Sequence, residues 1–224
     1  MKIKKILLII SKKKLSTIVK LLPFFLLSPL ILLFIYLLKP IFLIRFDQLP
    51  SSRIGHFAGE PELYCCEKDF SINTPKKPYL DLFFCFDTCN EQLAKMWKRK
   101  LNIISKNVLY PIYYINSFLS KFFPSLKTHN IKISNKARDI HDLFIKSKPH
   151  ISFNDEEKQK GLKFLKKFNL NEDSKFVCLF VRDSLYLKKA FNEKKIFDYH
   201  SYRNGNIDDF IPAAEEITKR GYYV

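Results

Sequence analysis

FVCLFVRDSLYL, residues 176–187, is the stretch on which the fold turns. Polar NEDSK precedes it, and Phe176 to Val181 is a short, nearly unbroken apolar run, the pattern of a strand buried on both faces of a parallel sheet. The run ends at Arg182-Asp183-Ser184. Ligands of open parallel sheets sit at the carboxyl ends of strands, so this charged triplet either meets a phosphate or sugar or merely pairs and caps a turn. Further on, Ile207, Phe210, Ile211, Ala214 and Ile217 recur at helical spacing, and Gly221 after Lys219-Arg220 is a helix C-terminal signal. Pro212 fits a helix starting at about Asp208 or Asp209, because first-turn amides have no intrahelical acceptor. Tyr222, Tyr223 and Val224 begin another strand. Strand, the loop DYHSYRNGNIDD (residues 198–209), helix and strand form a βαβ unit. The chain stops inside that unit, so the expectation is a truncated fragment of a longer protein.

These residues resemble a family of bacterial glycosyltransferases whose members carry a VRDS-Y-L element, a YRN-DID element and a GYYV run that continues into further sequence. More distantly, VCLFVRDS is similar to the strand and arginine motif of fucosyltransferase-like enzymes, with Phe180 standing where those usually have histidine. The likeness also takes in RIGHFAGEPELY at Arg53 to Tyr64 and the CNEQLAKMWKRKL stretch, spanning residues 41 to 224 with gaps. Its motifs point to the family and to no particular sugar.

At the other end of the chain, Met1 to Lys20 carries seven lysines, and Ile18 to Leu38 reads IVKLLPFFLLSPLILLFIYLL. About 20 apolar residues suffice to cross a bilayer. The core is long and no small-x-small cleavage site follows it, which favours an uncleaved anchor over a signal peptide. The lysine excess argues for a cytoplasmic amino terminus, which for one full span places the remainder outside. Pro23, Ser28 and Pro29 allow the contrary layout, a segment broken into a re-entrant or interfacial hairpin that returns to the same face. The expectation adopted is a bacterial inner-membrane protein whose soluble part lies on the cytoplasmic face.

The whole chain has 224 residues, 47% of them hydrophobic, and a formal net charge of +17. About 180 residues remain after the anchor, enough for one domain and part of a second. The lysines are spread through the chain and do not gather with aromatics into a recognisable module, which argues against nucleic acid as a partner. Five cysteines cannot all pair within one chain, in keeping with a reducing compartment. Cys85 and Cys89 lack a second matching pair, and Cys178 lies inside the apolar run, so the cysteines read as small buried hydrophobes rather than zinc ligands.

Ile41 to Phe46 reads as a first buried strand delivering the chain into DQLPSSRIGHFAGEPELY, a loop with Gly55 and Gly59 followed by helix. That is where a Rossmann-like domain builds its ligand loop, although the absence of GxGxxG argues against a dinucleotide cofactor. Arg53, His56 and Glu62 are the chemical candidates. Either His56 or Glu62 is the base that takes the acceptor hydroxyl proton, or His56 is a loop histidine bonded to backbone and Glu62 a helix-surface charge. Tyr79 to Phe86 is the next strand, with a helix from about Asn90 to Ile104. Its Lys95, Lys98, Arg99 and Lys100 read as a solvated face or as a phosphate or lipid patch. A helix over Val108 to Phe123 follows. The polar region Lys127 to His150 holds Asp139, His141 and Asp142, a weak metal signal without a third anchored ligand. Asn154 then caps a helix beginning at Asp155-Glu156-Glu157.

The resemblance implies an α/β protein of GT-B type, two Rossmann-like lobes with the second incomplete. The organisation expected is a basic N-terminus and membrane anchor over residues 1–39, an acceptor lobe over 40–150, and a linker helix with the start of the nucleotide-sugar lobe over 151–224. Carried onto matching positions, it implies that Arg182 neutralises the donor diphosphate, that Asp183, Ser184, Tyr202, Arg203 and Asn204 line the same pocket, and that Arg53, Gly55, His56 and Glu62 face the acceptor. No metal or other cofactor is implied, because basic side chains and helix termini carry the phosphate charge. The partners would be a nucleotide-sugar donor, a glycan or lipid-linked acceptor, and membrane lipids. The competing expectation is an inactive membrane-anchored remnant or scaffold.

Overall fold

Two parallel strands, β1 (Leu43–Gln48) and β2 (Tyr79–Phe84), pair with Leu43 opposite Tyr79 and Gln48 opposite Phe84. Single parallel bridges flank them, Phe46 with Asn130 beside β1 and Phe83 with Ile103 beside β2. The spatial order is therefore Ile103, β2, β1, Asn130. Parallel neighbours require crossover connections, and each one here contains a helix: α2 (Ile54–Asp69), α3 (Glu91–Lys100) and α4 (Lys106–Leu119). The protein is thus mixed α/β and helix-rich, with a small two-stranded parallel sheet and one N-terminal apolar helix. The structure is a computed structural model and describes residues 12–135, 138–183, 185 and 198–224. It divides into two units, one ending at Ser152 and one running from Phe153 to Val224.

Strand alternation builds the layers of the first unit. Phe83 joins Phe57, Tyr64, Trp97 and Leu101 on the side of α2 and α3. Its neighbour Phe84 points the other way and joins Phe46, Leu109 and Ile112. The helix α1 (Lys12–Leu38) adds Leu32 and Ile35 to that second cluster. Leu21–Leu38 has a mean hydropathy of 2.6 and is long enough to cross a membrane, yet one face of it packs on the unit. The opposite face is bare: Leu26 is 72% exposed and Leu30 is 66% exposed. Tyr114, Phe118, Phe122 and Phe123, in and just after α4, are exposed as well.

The expected break at Pro23, Ser28 and Pro29 is absent, and α1 runs through both prolines. The Ser28 hydroxyl folds back to donate to the Phe24 carbonyl at 2.5 Å, and Phe25 packs edge-on against Tyr110 and Tyr114 of α4. A second correction concerns Gly55 and Gly59. Both lie inside α2 rather than in a loop, and a Cβ at either would meet open space, so no close backbone approach demands glycine there.

One buried ion pair sits between the strands. Arg45 and Asp81 face each other in register, joined by Nε to Oδ1 at 2.7 Å and Nη2 to Oδ2 at 2.6 Å. The pair is fully furnished with partners. Arg45 also donates to the Asn73 carbonyl, and the Tyr64 hydroxyl donates to Asp81 at 2.6 Å. Burial, reinforced by the Asp81 carboxylate, raises the Tyr64 hydroxyl far above its ordinary pKa, so it acts as a donor only.

His129 gives the unit a pH dependence. Its Nδ1–H donates to the Ile44 carbonyl at 2.7 Å, and its ring stacks on Phe46. Burial lowers its pKa; the bond to Ile44 opposes this, and Lys39 and Lys77 add to it. The ring is neutral when folded but ionises at its ordinary value when unfolded. Its contribution is therefore complete above about pH 6.5 and is lost as pH falls toward the lower folded value. The urea midpoint is expected to drop between about pH 6.5 and pH 5. In His129→Gln, which donates to the same carbonyl without titrating, that part of the slope should disappear.

In the second unit, α6 (Asp155–Lys166) opens on a capping box: Asn154 Oδ1 accepts from the Glu157 amide and Glu157 Oε2 accepts from the Asn154 amide, each at 2.9 Å. The four-residue α5 (Leu143–Lys146) belongs to the first unit. A 3₁₀ turn at Ile207–Phe210, capped by Asn206, precedes α7 (Ile211–Lys219), so the helix proper starts later than Asp208 or Asp209. It closes at Gly221, whose φ is 82°, with Gly221 donating to Thr218 and Tyr222 donating to Ile217, a Schellman ending. Tyr223 then pairs parallel with Phe176, the pairing a βαβ connection requires.

The run at Phe176–Val181 is not a strand buried on both faces. Phe176 is 49% exposed and Phe180 84% exposed. Among the described residues the bridge to Tyr223 is the only ladder contact of this run, and one bridge brings no layer to cover either face. Cys178, expected to be buried in it, is likewise exposed.

Candidate functional site

The carboxyl ends of β1 and β2 are tied into one surface. Leu49 donates to the Phe84 carbonyl, Cys89 donates to the Ser51 carbonyl, and the Ser51 hydroxyl donates to the Asp87 carbonyl at 2.9 Å. Beyond β2 opens a cavity of about 650 Å³, lined among others by Phe86, Thr88, Glu91, Lys95, Lys98 and Lys106. Lys95 and Lys98 stand one turn apart on α3, and Lys106 opens α4. Three ammonium groups against the Glu91 carboxylate, with Lys106 also 4.0 Å from Asp87 Oδ1, leave a positive lining that favours an anionic ligand. Lys106 also lies over the Phe86 ring, 5.6 Å from its centroid. Sequence reasoning weighed Lys95 and Lys98 but missed Lys106, which only the fold of β2 and α4 brings beside them.

Arg53 is the N-cap residue of α2, is exposed, and makes no side-chain cap. Its helix starts just past the end of β1, the position from which a parallel fold offers free amides to an anion. Gly55 and His56 occupy the first turn. His56 Nδ1 lies 2.6 Å from Glu60 Oε1, with the ring 40% exposed, so a carboxylate orients this imidazole. Glu62 is not its partner. Six residues apart, the two point to different sides of α2.

Glu62 is held instead by His150, accepting from its backbone amide at 3.1 Å and lying 2.9 Å from its Nδ1. His150 Nε2 meets Asp69 Oδ2 at 2.8 Å, and Cys66 is fully buried alongside. Nothing in the polar stretch around His150 marks it for this role; the one local signal is the 62, 66, 69 spacing on a helix. Asp139 is a turn-former rather than a ligand, accepting from the His141 and Phe144 amides. Burial pushes the Cys65 thiol up to about 12 and raises Cys66, Cys85 and Cys89 as well, so none of the four is a ready nucleophile.

In the second unit, the Gly205 amide donates to the Arg182 carbonyl at 3.0 Å. That bond brings the Tyr202-Arg203-Asn204 loop to the end of the VRD run. The crossing is close, since a Cβ at Gly205 would stand 3.1 Å from Val181 Cγ1 and would require that side chain to shift by a few tenths of an ångström. Arg182 is half-buried, while Asp183, Tyr202, Arg203 and Asn204 are exposed. Asp183 Oδ1 accepts from the Leu185 amide at 2.9 Å, shaping the turn. Ser184 lies outside the described residues.

No family model, curated protein or solved structure matches this chain.

Proposed function

We propose that the chain belongs to a membrane-attached glycosyltransferase, its first unit on the acceptor side and its second on the donor side, moving a sugar from a nucleotide-sugar to a cell-surface glycan or lipid-linked acceptor. The observation that carries this reading is the Arg182–Gly205 bond, which gathers two arginine-bearing segments at the end of a run that pairs in parallel with Tyr223. Two arginines on segments joined in this way suit a diphosphate, Arg182 taking its charge and Arg203 and Asn204 its edges in this scheme. In the first unit, the order Ile103, β2, β1, Asn130 is the order of half a doubly wound sheet, and supports reading this unit as a Rossmann-like lobe. The lysine-lined cavity at its strand ends fits the phosphate of a lipid-linked acceptor. His56, held by Glu60, is the base of this scheme; Glu62 leaves it, being turned toward His150.

The bare face of α1 supports attachment to a membrane. Above its docked turns, the stretch from Leu15 to Phe24, apolar except for Ser16, Thr17 and Lys20, rises about 15 Å, half of a bilayer's hydrocarbon core. Insertion to that depth keeps the unit on one face, here the cytoplasmic face of a bacterial inner membrane, where nucleotide-sugars are made. The test is saturation-transfer NMR of the detergent-solubilised chain with uridine and guanosine diphosphate sugars. Arg182→Ala is expected to weaken binding about 10- to 100-fold, the loss of a charge-assisted contact. His56→Gln should bind donor normally and slow only transfer. If no nucleotide-sugar binds the unaltered chain, the inactive scaffold replaces this reading.

A further inference from the structure

Glu62, Cys66 and Asp69 stand at i, i+4 and i+7 of α2, so helix geometry alone puts all three on one face. His150 lies across that face with its side chain only 6% exposed. Its nitrogens meet different carboxylates, Nδ1 at 2.9 Å from Glu62 Oε1 and Nε2 at 2.8 Å from Asp69 Oδ2. One ligand atom each from Glu62, Cys66 and His150 lies within 4.8 Å of the other two. We propose that Glu62, Cys66 and His150 form a binding site for a zinc-class divalent cation, with Asp69 as the residue that positions the imidazole.

The donor set selects the ion. One sulfur, one nitrogen and one oxygen suit zinc, whereas magnesium and calcium take oxygen ligands. Bonds of about 2.0–2.3 Å set tetrahedral ligands about 3.3–3.7 Å apart, so the sulfur, within 4.8 Å of the other two atoms, has to close in by about 1.3 Å at most. Asp69 supplies the second requirement. By accepting the Nε2 proton it turns the Nδ1 lone pair inward, the carboxylate–histidine–metal arrangement that raises ligand basicity. On binding, the Cys66 thiol and the His150 Nδ1–H each release a proton to solvent, and the Glu62–His150 hydrogen bond gives way to two coordination bonds. An imidazolium held between two carboxylates accounts for three of these residues, while Cys66 packs with Leu63 and Leu143 in a small buried cluster. The cation employs all four, and clamps the segment after α5 onto α2. It stands independently of the sugar-transfer reading.

Metal content of the purified full chain, dialysed against micromolar zinc, is the measurement. One zinc per chain is expected, and cobalt in its place should show a thiolate-to-cobalt charge-transfer band. Cys66→Ser should abolish the band, His150→Gln should lose the metal, and Asp69→Asn should weaken binding 10- to 100-fold. Cys65→Ser, next to the cluster but outside it, should change nothing. No stoichiometric zinc and no charge-transfer band in the unaltered chain would overturn the site without reference to any variant's folding. So would full zinc retention in both Cys66→Ser and His150→Gln.

Discussion

Asp81→Ala is expected to destabilise the first unit by about 3–5 kcal/mol, enough to exhaust much of a domain's stability. The carboxylate, only 4% exposed as a residue, receives two bonds from Arg45 and one from Tyr64. Its removal leaves a buried guanidinium charge with the Asn73 carbonyl as its remaining acceptor and strips the buried Tyr64 hydroxyl of its partner, and the loss of attraction is the smaller part of the cost. Tyr64→Phe makes the comparison. It deletes one donor while leaving the Arg45 fork intact, and should cost about 1–3 kcal/mol. Urea unfolding in detergent, followed by the fluorescence of Trp97, reads both. An Asp81→Ala loss no greater than that of Tyr64→Phe would mean that the pair does not hold the strands in register.

The second large effect is expected at the membrane. Replacing Leu26, Leu30 and Leu37 together with glutamine should move the protein from the membrane to the soluble fraction while its fold is kept. These leucines are 72%, 66% and 68% exposed, so the unit loses no packing with them. In a bilayer each buries its side chain for about 1.5–3 kcal/mol, and three make a loss of about 4.5–9 kcal/mol, at least a thousandfold in partition. High salt alone should not release the unaltered protein, because the apolar term is not screened. Leu32→Gln and Ile35→Gln should behave oppositely, unfolding the unit by opening the cluster around Phe46 and Phe84. A triple variant that stays in the membrane would assign attachment to the exposed Phe118, Phe122 and Phe123 rather than to α1.

Parts of this protein are written in short segments. The strands at Leu43–Gln48 and Tyr79–Phe84, the Asn90 and Asn154 caps, the Gly221 ending and the apolar helix follow from side chains a few residues apart. Each is a local competition among hydrogen bonds, sterics and hydropathy, so neighbours suffice to settle it. The chemical partners are a different matter. Glu62 reads as a helix-surface charge until His150, 88 positions later, arrives beside it, and His56 finds Glu60 rather than Glu62 because α2 begins at Ile54 and sets both glycines inside the helix. Hydropathy likewise marks α1 as able to cross a membrane without telling which face is bare.

Sequence alone therefore determined the two paired strands, the caps, the apolar amino end and the basic character of the chain, because these depend on residue type and short-range spacing, whereas the strand expected at Phe176–Val181 and the loop expected at Gly55 and Gly59 were not found. Tertiary structure decided which face of α1 is covered, that Lys106 meets Lys95 and Lys98, that Arg182 lies beside the Arg203 loop, and that Phe176–Val181 stands exposed. Those outcomes depend on which distant surfaces meet, and burial, charge pairing and ligand geometry are properties of the meeting rather than of either segment.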